Sequence, residues 1–350
     1  MDQPAASNQP GSNASNSTMT AAPMGTTGAT NINLYTQPEA KKDIILNAIA
    51  GAQHSVDLAV YFLTDKDVIA KLIDAAKRVP VRVMLDEHGY FGQKMTIQQV
   101  HDELTQAGAQ VQWGTAQLPG YAYLHEKVMV VDATTAYVTT SNFDTSGLGG
   151  GSWGANREYG VITRDPGDVR AACSIFAADW SGQPVDASTF AAPHLVVSPI
   201  NAFSIVTTLI TNAQPNSTIQ IAMEEFQYPD IVTLLVAAAA NNVTVQVLLP
   251  AGNNSIVTNN DQFLHNTNTN GIQIKKIGQP YMHAKIIIVD GLAFVGSQNL
   301  SKDSLLHNRE MGIIIADQVA LATLKQTYQL DWDNVNAVPF AAPLQNGRSL

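Results

Sequence analysis

The sequence predicts a two-domain α/β protein in which each domain is an α/β/α sandwich around a mixed, largely parallel sheet. Helix-like and strand-like stretches alternate at short spacing, and the second half of the chain repeats the order of the first. The 350 residues have room for two domains of roughly 150 residues each. We therefore expect two homologous halves that pack face to face about a pseudo-twofold axis.

The predicted elements of the two halves correspond in order. Each half begins with a helix-like stretch, followed by an alternating run typical of a strand, a second helix, a second strand and a later apolar strand. In the first half these are 38–49, 56–62, 66–77, 81–85 and 127–131, and in the second half 201–211, 218–223, 230–240, 245–249 and 285–289. The last strand of each half is apolar on both faces, which is typical of a central strand in a covered sheet.

Composition predicts the domain boundaries. Residues 1–33 are rich in Ser, Asn, Thr, Ala, Gly and Pro and are predicted to be a disordered leader. The first domain then spans 34–190, the second spans 191–340, and 341–350 form a tail. The leader lacks the basic start and apolar centre of a signal peptide. Few Lys and Arg residues and abundant Asn, Thr and Gln nevertheless favour an exported (secreted or periplasmic) protein.

The overall composition disfavours several classes of protein. No apolar stretch approaches the roughly 20 residues of a membrane span, so we expect a soluble protein. A net charge of −10 disfavours a protein whose affinity comes mainly from neutralising a nucleic-acid backbone. The single cysteine, Cys173, excludes an internal disulfide and a cysteine-based zinc site.

One motif, Tyr-x-His-x-Lys-x4-Asp, occurs in both halves. Each copy is followed by a hydroxyl residue, an Asn and then Asn-Arg-Glu-x-Gly, and an Asp-Trp pair comes at the same distance after each Glu. The two copies agree at too many positions for the repeat to be a coincidence. The motif residues are His125, Lys127, Asp132, Thr140, Asn142 and Glu158 in the first copy, and His283, Lys285, Asp290, Ser297, Asn299 and Glu310 in the second.

The repeated residue types suit chemistry at a phosphodiester. Residues two apart in a strand share a face, so the His and Lys of each copy project together. Attack on phosphorus needs a nucleophile, a proton donor and fixed positive charge, and two His and two Lys supply all three without a metal or cofactor. A carboxylate behind each His, for which Glu158 and Glu310 are the candidates, would fix its tautomer. The predicted phosphate-binding groups are Lys127, Lys285, Thr140, Asn142, Ser297 and Asn299.

The double motif resembles that of the phospholipase D superfamily, over most of residues 40–335. The second copy matches the family pattern throughout, whereas the first has Thr139-Thr140 in place of Gly-Ser and one extra residue after Asp132. The resemblance implies a covalent phosphohistidine that water, or sometimes an alcohol, releases. It also implies that His125 is the nucleophile and His283 the general acid, an order that the pseudo-symmetric sequence itself leaves open.

The remaining polar residues are interpreted as structural. Asp132 and Asp290 stand past the end of their strands, on the face opposite the Lys. Six histidines have no counterpart in the other half and are predicted to be surface or capping residues, although His88, after a strand end, is also a candidate for the cleft. They are His54, His88, His101, His194, His265 and His307.

A Gly-rich insertion at 146–154 has no counterpart in the second half. It is interpreted either as a flexible rim that touches a lipid interface through Leu148 and Trp153, or as a tolerated surface insertion.

Several functions are consistent with the motifs. We favour a phospholipase D-type phosphodiesterase that hydrolyses a phospholipid headgroup ester, with transphosphatidylation as a side activity and peripheral membrane contact. A metal-independent nuclease is the alternative. A cardiolipin synthase-like transferase ranks lower because no membrane anchor is visible, and an inactive binding protein ranks lowest. One chain carries both half-sites, so we expect a monomer.

Overall fold

The computed structural model describes residues 27–88, 94–114, 120–150, 154–185 and 194–340, which form two sheets, one in each half of the chain. The first sheet contains β1 (Asn33–Gln37), β2 (Val56–Val60), β3 (Val81–Leu85), β4 (Gln110–Trp113), β5 (Lys127–Val131), β6 (Thr135–Thr139) and β7 (Asn156–Thr163). The second contains β8 (Leu195–Ser198), β9 (Thr218–Met223), β10 (Thr244–Pro250), β11 (Ile272–Ile277), β13 (Lys285–Val289), β14 (Leu292–Gly296), β15 (Glu310–Ile315) and β16 (Val338–Pro339). The short strand β12 (Tyr281–Met282) pairs with β7 of the other half.

Helices connect and cover these strands. They are α1 (Asp43–Gly51), α2 (Lys66–Ala76), α3 (Lys94–Gln106), α4 (Pro166–Trp180), α5 (Ala202–Thr211), α6 (Pro229–Ala240), α7 (Ser255–His265), α8 (Lys302–Leu306) and α9 (Gln318–Trp332). The predicted α/β class with two similar domains is confirmed. Among the helices in the described ranges, none combines the length and apolarity that crossing a bilayer requires.

The two sheets are mixed, with spatial orders β1-β7-β6-β5-β2-β3-β4 and β16-β11-β10-β9-β13-β14-β15-β8. Parallel pairing is confined to β2-β3-β4 and β9-β10-β11 within the sheets, and the other neighbours are antiparallel. The sheets are therefore less parallel than predicted. Short turns join the motif strands β5 and β13 to β6 and β14, and strands joined by a short turn pair antiparallel. The sequence analysis did not identify β6 and β14.

The motif strands separate two layers of core, and every residue of both strands is buried. In β5, Val128 and Val130 pack into a core that both halves share, which α4 and α9 also line. Met129 and Val131 point the other way, toward α1, α2 and α3. The alternation in β13 is equivalent. The period-2 side-chain pattern thus sets both the internal packing of each half and the contact between halves.

Part of the predicted disordered leader is ordered. Ala29 is only 1% exposed, and its N–H donates to Ile314 O at 2.9 Å. Its carbonyl accepts from Ala316 N–H at 2.9 Å, so this short segment lies along the second half. The boundary at residue 33 is therefore wrong for residues 27–33. Local composition missed the pairing because backbone groups, not side chains, make it. Residues 1–26 and the predicted tail 341–350 lie outside the described residues.

The two halves exchange backbone contacts next to the motifs. Tyr281 and Met282 of β12 pair in parallel with Asn156 and Arg157 of β7. In the equivalent contact on the other side, His125 N–H donates to Arg309 O at 2.8 Å. The start of each motif strand is therefore held against the strand of the other half that carries Asn-Arg-Glu.

Two buried arginines strengthen the same contact. Arg309 donates from Nε and Nη2 to both carboxylate oxygens of Asp179, at 2.8 and 2.6 Å. Arg157 makes the equivalent pair of bonds to Asp331, at 2.6 and 3.0 Å. The repeated Asp-Trp pairs and the repeated Asn-Arg-Glu segments thus recognise each other across the two halves.

Candidate active site

The two motif histidines each bond a carboxylate from the opposite half. His125 Nδ1 lies 2.8 Å from Oε2 of Glu310, and His283 Nδ1 lies 2.6 Å from Oε1 of Glu158. Their side chains are 15% and 10% exposed, and both carboxylates are completely buried. The site is therefore a joint product of both halves, because each imidazole depends on the other half for its orientation.

Hydrogen bonds from each carboxylate's own half orient it. Glu158 accepts from the Thr140 hydroxyl at 2.5 Å and from Asn156 Nδ2 at 3.2 Å. Glu310 accepts from the Ser304 hydroxyl and from Asn308 Nδ2. A hydroxyl has one proton to donate. In this structure that proton is directed to Glu158, and phosphate binding by Thr140 stays a prediction.

The other three predicted phosphate-binding residues differ in their burial and in their hydrogen bonds. Ser297 is fully buried and its Oγ accepts from Met311 N–H at 3.1 Å. Asn299 Oδ1 accepts from Glu225 N–H at 3.1 Å, so its NH2 group keeps its two donors. Asn142 is half-buried, and its Oδ1 has no hydrogen-bond partner among the described residues. Phosphate binding by these three residues stays a prediction.

The two lysines lie beside their histidines, as expected for one strand face. Lys127 Nζ donates to His125 O at 2.9 Å and stands 5.3 Å from the centroid of the Tyr61 ring. Complete burial, together with the charge of Lys285, lowers the pKa of Lys127 to about 7. Lys285 Nζ donates to His283 O at 2.6 Å and to Oε2 of Glu224 at 2.8 Å. Two ammonium groups are thus concentrated in one enclosed space.

Glu224 is a site residue that the sequence analysis missed. Its Oε2 also lies 3.3 Å from Nε2 of His283, so His283 has a carboxylate at each ring nitrogen. In the first half the equivalent position is Tyr61, whose ring centroid lies 4.8 Å from that of His125. Comparison of the two repeats after β2 and β9, where one reads Tyr-Phe and the other Glu-Glu, would have found this difference.

Burial controls the protonation of the site. It lowers the pKa of His125, and it lowers that of His283 to well below the usual value. Burial also raises the pKa of Glu158 to about 7. At Glu224 the positive charges of His283 and Lys285 outweigh burial and lower the pKa. Near neutral pH, Glu224 is therefore ionised, whereas Glu158 is only partly ionised.

The two motif aspartates have contacts at the far ends of their strands. The Asp132 carboxylate accepts from the backbone N–H groups of Gln53, His54 and Ser55, at 2.6 to 3.0 Å. Asp290 accepts from Gln214 N–H at 3.4 Å in the equivalent loop. These bonds connect loops and do not reach the imidazoles.

The unmatched histidines divide into two groups. His88 is half-exposed, and its ring centroid lies 5.3 Å from that of Tyr123, two residues before His125, so it borders the first half-site. The others make contacts that do not involve the His, Lys or Glu side chains of the motifs, such as the stacking of His101 on Trp113. In the described part of the chain, no cluster of His, Cys, Asp and Glu has the arrangement of a metal site.

The Gly-rich insertion does not have the predicted lipid contact at Leu148. That side chain is 3% exposed and packs in the core of the first half. Trp153 lies outside the described residues.

Similar proteins carry the names of lipid-synthesising enzymes. The family model described as "Cardiolipin synthase, PLD-like domain" matches residues 45–180 and 206–332. A cardiolipin synthase of Alkalihalophilus pseudofirmus is 24% identical over 332 residues, covering 85% of this chain and 65% of that protein. A probable cardiolipin synthase of Bacillus subtilis is 27% identical over 243 residues, covering 59% of this chain and 45% of that protein. The chain therefore spans less than two thirds of these relatives.

The fold has a solved counterpart. The crystal structure of a phosphatidylserine synthase from Haemophilus influenzae superposes with a TM-score of 0.65 over 90% of this chain and 89% of the other, at 13% identity. At this identity the likeness concerns the fold alone.

These comparisons contradict the prediction of a headgroup hydrolase. The family model and the relatives favour a synthase, the transferase that the sequence analysis ranked third. The ranking failed because the motif residues serve water and alcohol acceptors alike. It also failed because a missing anchor is no argument in a chain that spans only part of its relatives.

Proposed function

Because the chain belongs to the phospholipase D superfamily, in the PLD-like domain family of cardiolipin synthases, we propose that it transfers a phosphatidyl group from one lipid to a hydroxyl of another. Cardiolipin is a glycerol with a phosphatidyl group at each end, so the acceptor in this proposal is phosphatidylglycerol. A second phosphatidylglycerol serves as donor and releases glycerol. The observation that supports the transfer best is the enclosed pair of histidines with crossed carboxylates.

The first displacement in this proposal forms a covalent intermediate. Nδ1–H of His125 donates to Glu310, which leaves the lone pair of Nε2 to attack phosphorus. A nitrogen–phosphorus bond forms while the bond to the glycerol oxygen breaks, and that oxygen takes a proton from Nε2 of His283. Lys127 and Lys285 offset the charge on the non-bridging oxygens.

The second displacement reverses these events with a new alcohol. A hydroxyl of the acceptor phosphatidylglycerol loses its proton to His283 and attacks phosphorus from the side that glycerol left. The nitrogen–phosphorus bond breaks, and both histidines return to their starting states. No net proton, metal or cofactor is consumed.

The surroundings of the two histidines support this order of roles. An attacking nitrogen must have a free lone pair and must admit an anionic phosphate. At His283 the ionised Glu224 lies 3.3 Å from Nε2, where it repels an incoming anion and stabilises a protonated ring. At His125 the neighbouring side chain is Tyr61, an uncharged residue.

Substrate chemistry implies work at a bilayer surface, because both lipids keep their acyl chains in the membrane. We expect peripheral contact and a functional monomer, since one chain supplies both histidines. Export from the cell stays a prediction from composition.

Product analysis tests the proposed function. Vesicles of phosphatidylglycerol, with EDTA present, are expected to yield cardiolipin and free glycerol in equal amounts, and His125→Asn should yield neither. Phosphatidic acid as the main product would return the protein to the hydrolases. Cleavage of single-stranded DNA without any lipid product would place it among the nucleases.

The low pKa of Lys127 predicts proton uptake when an anion binds. With a pKa of about 7, this lysine is mostly neutral at pH 8, and a nearby anion raises the pKa and charges it. Sulfate, which does not titrate near neutral pH, is a suitable probe. Calorimetry at pH 8 in two buffers of different ionisation enthalpy should show uptake of nearly one proton per sulfate. Lys127→Arg, which is charged beforehand, should show much less uptake, and equal uptake in both proteins would contradict the assignment.

A further inference from the structure

The two half-sites differ at the position that Tyr61 occupies in the first half and Glu224 in the second. Tyr61 and Glu224 each follow the strand that pairs with the motif strand. Each donates its backbone N–H to the residue between the motif His and Lys, at 3.0 Å to Glu126 O and 3.1 Å to Ala284 O. The same backbone position therefore carries an aromatic ring beside His125 and a carboxylate beside His283.

The in-line geometry of displacement determines which part of the substrate lies beside the Glu224 carboxylate. A nucleophile and a leaving oxygen lie on opposite sides of phosphorus. With His125 as nucleophile, the leaving oxygen in the first displacement and the attacking oxygen in the second both lie beside His283. Both oxygens belong to a glycerol unit in the proposed reaction. The glycerol unit, and not the acyl-bearing end, therefore lies next to Glu224.

Glu224 can accept a further hydrogen bond. Its contacts with Lys285 and His283 both use Oε2, and a carboxylate has about four acceptor positions on its two oxygens. The side chain is 8% exposed and lies beside Nε2 of His283, so a small part of it is accessible next to that ring. Despite burial, the pKa of Glu224 is lowered, in part by the charge and hydrogen bond of Lys285, so the carboxylate is ionised near neutral pH. An ionised carboxylate only accepts hydrogen bonds, and a hydroxyl can donate one to it.

We propose that Glu224 binds the polyol part of the substrate by accepting a hydrogen bond from the hydroxyl next to the reacting one. The site then prefers a 1,2-diol over a simple primary alcohol, both as leaving group and as acceptor. This inference rests on the proposed phosphatidyl transfer and adds a specificity-determining residue to it. Glu224 differs in this role from Glu158 and Glu310, which hold the imidazoles at Nδ1.

Competition between two small alcohols tests this role. 1,2-Propanediol and 1-propanol have the same carbon chain and differ by one hydroxyl. With phosphatidylglycerol vesicles as donor, the wild type is expected to favour the diol by about tenfold or more, as for a hydrogen bond to a charged group. Glu224→Ala should bring the ratio of the two phosphatidyl products close to one, and Glu224→Gln should give an intermediate ratio. Glu225→Gln, the same change at the next residue, should leave the ratio as in the wild type.

The outcomes separate this inference from the proposed function. Equal losses with both alcohols in Glu224→Ala, at an unchanged product ratio, would show that Glu224 only holds Lys285, and would overturn the inference. A wild type without preference for the diol would also overturn it, while transfer itself stands. The absence of any phosphatidyl product with either alcohol, and of cardiolipin, would overturn the proposed function and the inference together.

Discussion

Replacement of His125 by Asn is expected to lower phosphatidyl transfer by at least about 10⁴-fold, because the proposed nucleophile is lost. His283→Asn should lose a comparable factor with phosphatidylglycerol, whose glycerol leaving group needs a proton. His54, an exposed histidine, provides the control, and His54→Asn should retain full activity. Turnover of all three variants on the same vesicles measures these effects.

The two inactive variants should differ in one respect. A phosphatidyl ester of 4-nitrophenol does not need a proton on its leaving group, so His283→Asn should still form the phosphohistidine and release one equivalent of nitrophenol. His125→Asn should release none. Mass spectrometry should place the adduct on His125. An adduct on His283, or mild and equal losses in both variants, would contradict the roles proposed here.

The second large effect is expected in stability. Asp179→Ala removes the carboxylate to which the completely buried Arg309 donates two hydrogen bonds. Loss of one partner of a buried ion pair costs about 3–5 kcal/mol of unfolding free energy. Asp74, in an exposed pair with Lys77, provides the control, and Asp74→Ala should leave the unfolding free energy close to that of the wild type. Urea denaturation measures both.

A double variant shows whether the unpaired charge is the cause. Asp179→Leu combined with Arg309→Met replaces the pair by apolar groups, which should recover much of the loss. The crossed pairing also predicts that Asp179→Ala lowers activity before it unfolds the chain, because Arg309 immediately precedes Glu310. A stability loss no larger than that of Asp74→Ala would contradict a structural role for the pair.

Much of the site could be predicted from the sequence, because it depends on residues that are close together along the chain. Strand alternation places His125 with Lys127, and the repeat supplies the same arrangement in the second half. The apolar faces of β5 and β13 correctly predict that both strands are central. These inferences need only the period of a strand and the comparison of two copies.

The rest depends on how the halves meet. Pairing of Glu158 with His283, and not with the histidine of its own half, results from the contact of β12 with β7, which no spacing along the chain reports. The use of the Thr140 proton by Glu158 is equally a matter of three-dimensional geometry. Ala29 pairs with the second half through backbone hydrogen bonds, and amino-acid composition does not report such pairing.

The error about hydrolysis has a different cause. The choice between water and a lipid alcohol depends on the residues around the acceptor, and the repeated motif does not include them. Glu224 lies outside the motif and breaks its symmetry. Sequence reasoning that seeks agreement between the two copies therefore passes over the position where they differ.

In the proposed reaction, a phosphatidyl group passes through one histidine in a site built by both halves. The configuration at phosphorus in the product distinguishes this course from direct transfer between the two lipids. A chiral phosphorothioate analogue of phosphatidylglycerol, converted with 1,2-propanediol and followed by ³¹P NMR, should give product with retained configuration, because two in-line displacements each invert the centre. Inversion would mean a single direct displacement, and would contradict a covalent phosphohistidine intermediate.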